Sequence, residues 1–290
     1  MIAGATALSH HNLRVRGMNS HVVEVGSPNA PAVVLLHGFP EFWFGWRHQI
    51  APLADAGFRV LVPDQRGYGL SDKPEAVTAY ELDTLAADVI GLLDALEIPA
   101  AHIVGHDWGG VVAWQTAQCY KHRVRKLIII NAPHPYAMRG YAFRHPAQLL
   151  RSAYIAFFQL PVIPEALLRA HRFRVLRNVL RASSRPGTFS CEIIAYYEQA
   201  WAQPGALTAM LNWYRAAGRS PPKKPPGQIR APVLLIWGNQ DPFLQAGLAK
   251  ASLEWCSNGH TLLFEDEGHW VQHERADELN AVIVQFLTLT

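Results

Sequence analysis

The sequence predicts an α/β fold: a mostly parallel sheet flanked by helices, with an inserted, mainly helical segment. Three observations carry this expectation. Short apolar, β-branched runs alternate with helical patterns along most of the chain, and the alternation stops between Pro133 and Pro232. One strand-like run also leads through a Gly-x-Asp-x-Gly turn straight into a helical pattern. With 290 residues, 50% of them hydrophobic, the chain can bury a sizeable core as one α/β domain with an insertion.

In chain order, the runs His21–Val25, Ala32–Leu36, Arg59–Pro63, Ala101–Gly105, Lys126–Asn131, Val233–Trp237 and Thr261–Glu265 read as strands, each ended by a turn signal. Most are continuously apolar, as strands covered by helices on both faces must be. The helical patterns Arg47–Ala56, Glu81–Glu97, Gly109–His122 and Arg275–Leu287 lie between and after them. Right-handed crossovers then give a mostly parallel sheet. Residues 134–227 hold helical, aromatic and arginine-rich segments but no convincing parallel strand, and close on Ser220-Pro221-Pro222-Lys223-Lys224-Pro225-Pro226-Gly227, a stiff return linker. The expected division is a core of residues 1–133 and 228–290 with a helical cap of 134–227. The cap would roof a pocket at the carboxyl ends of the strands.

Composition removes several function classes. A formal charge of +3 is too small to argue for nucleic acid or a membrane surface. No apolar stretch approaches the roughly 20 residues that span a bilayer, and Met1 to His10 lacks the pattern of a signal peptide. Cys119, Cys191 and Cys256 cannot all pair and have no metal spacing, so reduced thiols in a cytoplasmic protein are expected, with no metal and no cofactor.

The chemistry centres on Gly105-His106-Asp107-Trp108-Gly109-Gly110. Flanking glycines permit a strained strand-to-helix turn that presents the central side chain, here a carboxylate where serine would be usual. A carboxylate attacking an acyl carbon gives an anhydride, a poor intermediate. Attack on an sp3 carbon bearing a leaving group gives an ester that water can cleave. An epoxide or alkyl halide is therefore the expected substrate class. After Ala32–Leu36, His37-Gly38-Phe39-Pro40 can aim the Phe39 N–H at the same point as that of Trp108, making an oxyanion hole; Gly-x-Pro alone would be only a turn. Trp237-Gly238-Asn239-Gln240-Asp241 and Glu267-Gly268-His269-Trp270 place an acid and a histidine just past the last two strands. The order Asp107, Asp241, His269 is nucleophile, acid, base. Asp241 would fix the His269 tautomer and His269 would deprotonate water, while His102, His106 and His122 read as structural or surface residues. The cap segments around Tyr154 and Tyr214 are aromatic clusters, which taken alone are core packing more often than catalysis.

With these residues in view, the chain resembles the α/β-hydrolase-fold epoxide hydrolases over nearly its whole length. The resemblance rests on His37-Gly38-Phe39-Pro40-Glu41 with Trp46-Arg47, Asp64 to Asp72, Gly105 to Gly110, Leu211-Asn212-Trp213-Tyr214-Arg215 and Gly268-His269-Trp270. It implies Asp107 as nucleophile, Asp241 and His269 as the charge-relay pair, and Tyr154 and Tyr214 as ring-opening acids. His37, Gly38, Pro40, Phe157, Trp213 and Trp270 are expected in the pocket wall.

An epoxide leaves as an alkoxide and needs a proton donor such as tyrosine, pKa about 10. A halide needs only N–H donors, and the asparagine that haloalkane dehalogenases place after the His-Gly pair is Phe39 here. Two cap tyrosines favour the epoxide over a dehalogenase. A non-catalytic receptor on the same fold is the other alternative, and decay of the nucleophile, base or oxyanion turn would mark it; none is seen. Six arginines between Arg169 and Arg185 read as a solvated helical face, with a homodimer contact as the alternative. Phe157, Phe158, Phe173, Trp201 and Trp213 suggest an apolar pocket and an apolar or aromatic epoxide, although periodicity does not separate pocket lining from cap core.

Overall fold

A computed structural model describes residues 8–220 and 227–289. Most of the Pro-Lys linker therefore lies outside the described residues, as do the first seven of the chain. The elements run β1 (Ser9–Val15), β2 (Met18–Val25), β3 (Ala32–Leu36), α1 (Ile50–Asp55), β4 (Arg59–Pro63), α2 (Leu82–Ala95), β5 (Ala101–His106), α3 (Trp108–Cys119) and β6 (Val124–Ile130). Six helices follow: α4 (Pro135–Arg144), α5 (Pro146–Arg151), α6 (Ala153–Phe158), α7 (Ile163–Ala182), α8 (Cys191–Trp201) and α9 (Ala206–Arg219). The chain then returns through β7 (Val233–Gly238), α10 (Gly247–Leu253), β8 (Gly259–Phe264), α11 (Val271–Glu274) and α12 (Ala276–Thr288).

The eight strands form one sheet of order β1-β2-β4-β3-β5-β6-β7-β8. From β4 to β8 every pairing is parallel, while β2 lies antiparallel to both β1 and β4. Every residue of β3, β4, β5 and β7 is buried, which is why those runs are apolar but for Arg59, His102 and His106. Successive residues still serve opposite faces. Val33 and Leu35 join Ile50 and Leu53 of α1 and Leu279 and Ile283 of α12. Val34 and Leu36 pack with Leu85 of α2 and Val112 of α3, in a core continuous with that of the cap. β1 breaks the apolar pattern because it is an edge strand, partly exposed along Ser9–Val15.

Between β6 and β7 no strand interrupts the six helices among the described residues. α4 packs on α10 and α3 of the sheet layer, whereas α9 lies against α6, α7 and α8. Across Ala170–Phe173, α7 leaves helical geometry, with positive φ at His171, Arg172 and Phe173, so it is two helices joined at a kink. Among the described residues no helix is long and apolar enough to cross a membrane.

Candidate active site

The carboxyl ends of five adjacent strands deliver the site. Asp107 follows β5 at φ 50°, ψ −123°, a conformation costly for a residue with a Cβ, and α3 begins immediately after it. Two glycines make room for that turn. A Cβ on Gly109 would lie 2.0 Å from the Leu36 carbonyl oxygen, and one on Gly38 would lie 2.4 Å from the Asp107 Cβ. With Gly38 bare, the Phe39 N–H donates to Asp107 Oδ1 at 2.8 Å. Trp108 is the first residue of α3, so its N–H is among the first-turn donors that no helix carbonyl accepts. The positive end of α3 thus adjoins the Asp107 carboxylate.

Asp241 lies three residues beyond β7 and His269 five beyond β8. His269 Nδ1 donates to Asp241 Oδ2 at 2.7 Å, and its Nε2 stands 3.7 Å from Asp107 Oδ2. Asp241 Oδ2 also accepts from Asn131 Nδ2 at 2.7 Å, and Oδ1 accepts from the N–H groups of Phe243 and Leu244 at 2.7 and 3.0 Å. Burial by itself would raise the Asp241 pKa, but His269 and these donors outweigh it and hold the carboxyl below its usual range. Burial would likewise lower the pKa of His269, yet the Asp241 charge prevails and raises it.

Sequence reading missed Asn131. Its Oδ1 accepts from the Gly238 N–H at 3.0 Å while its amide holds Asp241, and its backbone takes φ 43° to do so. The only sequence signal was an asparagine, tolerant of that conformation, at a strand end. A buried cluster behind His269 was also missed. His106 Nε2 donates to the His269 carbonyl at 2.9 Å, its other nitrogen accepts from Gln272 at 3.0 Å, and its ring packs 4.7 Å from that of His269. Glu41 accepts from Tyr197, His273 and Gln272 at 2.6, 2.8 and 3.2 Å. Burial would raise the Glu41 pKa, but His273 and His106 outweigh it and keep the carboxyl well below the usual range.

Above Asp107 lies a cavity of about 330 Å³ between sheet and cap. Its polar side chains are Asp107, His269, Tyr154 and Tyr214; the remaining wall is apolar and includes Phe39, Pro40, Phe157, Leu176, Phe243 and Trp270. Tyr154 (α6) and Tyr214 (α9) lie side by side, ring centroids 5.9 Å apart. Burial raises both phenol pKa values, and the nearby Asp107 charge adds to each rise, so both hydroxyls stay protonated at neutral pH.

Three of the residues expected in the pocket wall do not line this cavity. His37 is buried below it, accepting from the Gln65 N–H at 3.1 Å. Gly38 is covered by the Asp107 side chain it accommodates. Trp213 turns its indole N–H to the Arg66 carbonyl at 3.0 Å and instead lines a second cavity of about 370 Å³, whose wall Tyr214 shares. Helical phase accounts for the difference: consecutive residues of α9 point about 100° apart, so Tyr214 reaches both cavities while Trp213 reaches only the second.

Residues 31–276 match the α/β hydrolase fold family. Epoxide hydrolase A of Mycobacterium tuberculosis is 36% identical over 310 aligned positions, covering 94% of this chain and 95% of that one. An AB hydrolase superfamily protein of Bacillus subtilis, YfhM, is 46% identical over 275, covering 95% and 96%. The crystal structure of Bacillus megaterium epoxide hydrolase with an inhibitor superposes with a TM-score of 0.88 at 30% identity, covering 97% of this chain and all of that one.

Proposed function

The chain belongs to the epoxide hydrolases of the α/β-hydrolase fold, and on that premise we propose that it opens an apolar epoxide to a vicinal diol through an ester on Asp107. An Asp107 carboxylate oxygen attacks a ring carbon, the carbon–oxygen bond of the epoxide breaks, and the departing oxygen takes a proton from Tyr154 or Tyr214. Water, deprotonated by His269, then attacks the carboxyl carbon of that ester. The charge forms on the Asp107 oxygen already facing the Phe39 N–H, with the Trp108 N–H beside it. Collapse releases the diol and leaves one water-derived oxygen on Asp107. Asp241 orients His269 and stabilises the imidazolium.

The observation that carries this reading is one apolar cavity in which a carboxylate faces two protonated phenols. Halide release would call instead for indole or amide N–H groups in the cavity wall, and the N–H of Trp270, the tryptophan in that wall, already donates to Ser183 Oγ at 2.8 Å. The test is a trapped intermediate. His269→Gln given an epoxide should gain the substrate's mass once, on the peptide containing Asp107, and release no diol. In wild-type enzyme under single turnover in heavy-oxygen water, the first diol should carry protein-derived oxygen. Diol labelled entirely from solvent would make His269 a direct water activator and remove the covalent route; no hydrolysis that depends on Asp107 would favour a receptor.

A further inference from the structure

We propose that the outer face of the cap docks on anionic lipid, bringing the mouth of the substrate cavity to a membrane surface. Large apolar side chains are concentrated there against the usual rule for solvent-facing helices. Phe143 on α4 is 83% exposed, Leu150 on α5 is 78% and Val162, before α7, is 74%. These elements follow one another in the chain, with α4 against α5 and α5 against α6. Leu167 on α7 is both exposed and part of the cavity wall, so an apolar side chain of the cap reaches from solvent into the substrate cavity. Val162 adds backbone strain: a β-branched residue at φ 64°, which its own exposed side chain does nothing to repay.

Charge selects the occupant. Residues 135–185 hold nine arginines, no lysine and one acid, Glu165, which pairs with Arg215 at 2.7 Å. That segment is +8 while the whole chain is only +3, so the chain-wide figure conceals a strongly basic cap on a net acidic remainder. Arg139, Arg144, Arg151, Arg169, Arg174 and Arg181 are exposed and have no acidic partner among the described residues. A second copy of the chain fits this face poorly, because a two-fold contact sets the same patch on both sides and would place arginine against arginine. A nucleic acid would meet the charge but gain little from exposed leucine, valine and phenylalanine. Anionic lipid satisfies both, with headgroups for the guanidinium groups and acyl chains for the apolar tips. An apolar epoxide dissolved in that lipid would then enter at Leu167 with little exposure to water.

The test is co-sedimentation of the full chain with vesicles of phosphatidylcholine alone or mixed with phosphatidylglycerol, at low and high salt. Wild type should pellet with the mixed vesicles at low salt and stay in solution with phosphatidylcholine alone. Two independent variants, Phe143→Ser/Leu150→Ser/Val162→Ser and Arg144→Glu/Arg169→Glu, should each lower the bound fraction by about tenfold or more. Both should keep the wild-type melting temperature, since the altered side chains are exposed. Wild type remaining in solution, or binding unchanged by the apolar variant, would overturn the proposal. So would a dimer in light scattering that the apolar variant dissolves, which assigns the face to a second copy. Duplex DNA pelleting equally with wild type and the apolar variant would assign it to nucleic acid.

Discussion

Replacing Asp241 by asparagine should disable the second half of the reaction and spare the first. The Asp241 carboxylate receives four hydrogen bonds, two on each oxygen. A carboxamide offers one oxygen and one NH2 in their place. Were its NH2 to face Phe243 and Leu244, two buried backbone donors would lose their acceptor, at about 1–3 kcal/mol each. The favoured orientation keeps oxygen there and turns NH2 toward Asn131 and His269. Asn131 cannot flip in response, because its oxygen accepts from Gly238. His269 can, by moving its proton from Nδ1 to Nε2, the nitrogen that faces Asp107. An Nε2 that already carries a proton cannot take one from water, and in a serine protease the same change of tautomer costs about 10⁴ in kcat. Rapid quench with intact-mass detection should show Asp241→Asn alkylated at the wild-type rate, with ester hydrolysis slower by about 10³–10⁴. Because Asp241 is what raises the His269 pKa, the acid limb of any residual hydrolysis should also move to lower pH. Alkylation slowed as much as hydrolysis, or both left intact, would refute the reasoning.

Gly38→Ala should fold yet lose activity by about 100-fold or more, since its Cβ would meet that of Asp107 at 2.4 Å and an ångström of displacement at a reacting group costs about that much; wild-type kcat/KM in this variant would contradict the packing described. Thermal stability should fall on acidification in two stages. Burial lowers the pKa of His102 and His273 to about 4 and of His134 to about 3, below the unfolded value of about 6.5, so their contribution is complete above pH 6.5 and declines toward pH 4. Glu41, Asp64 and Asp241 have folded pKa values below their unfolded ones, so their contribution is complete above those unfolded values, near pH 4, and is lost below. A melting temperature flat from pH 7 to 5 would count against the buried histidines.

The parallel strands were legible because burial on both faces leaves an unbroken apolar run, as in Ala32–Leu36 and Val233–Gly238. The edge strand β1 was missed because its polar residues face water, and α10 because seven residues are too few to show a helical period. The helix expected over Arg47–Ala56 is shorter, because residues 47–49 form a turn after the 3-10 helix Trp43–Trp46 and α1 starts only at Ile50. At the site, the convergence of Asp107, Asp241 and His269 was legible because each follows closely after a recognisable strand. Asn131 and Glu41 could not, because their roles lie in contacts with residues more than a hundred positions away. The direction of Trp213 depended on the phase of α9 against the sheet, which no local pattern encodes.

The interruption of the sheet between β6 and β7 has a consequence for the birth of the protein. His106, beside Asp107, and His269 are 163 residues apart. At about 5–20 residues per second, a ribosome needs roughly 10–30 s to travel between them. The six helices between β6 and β7 are made within that interval, and β7 and β8, which bring Asp241 and His269, are made only after them. On the mechanism proposed above, the nascent chain would carry Asp107 without the base that clears it, and an epoxide reacting at that stage would stay as an adduct. On that mechanism, docking of the last two strands is what would turn a single-use carboxylate into a recycling one.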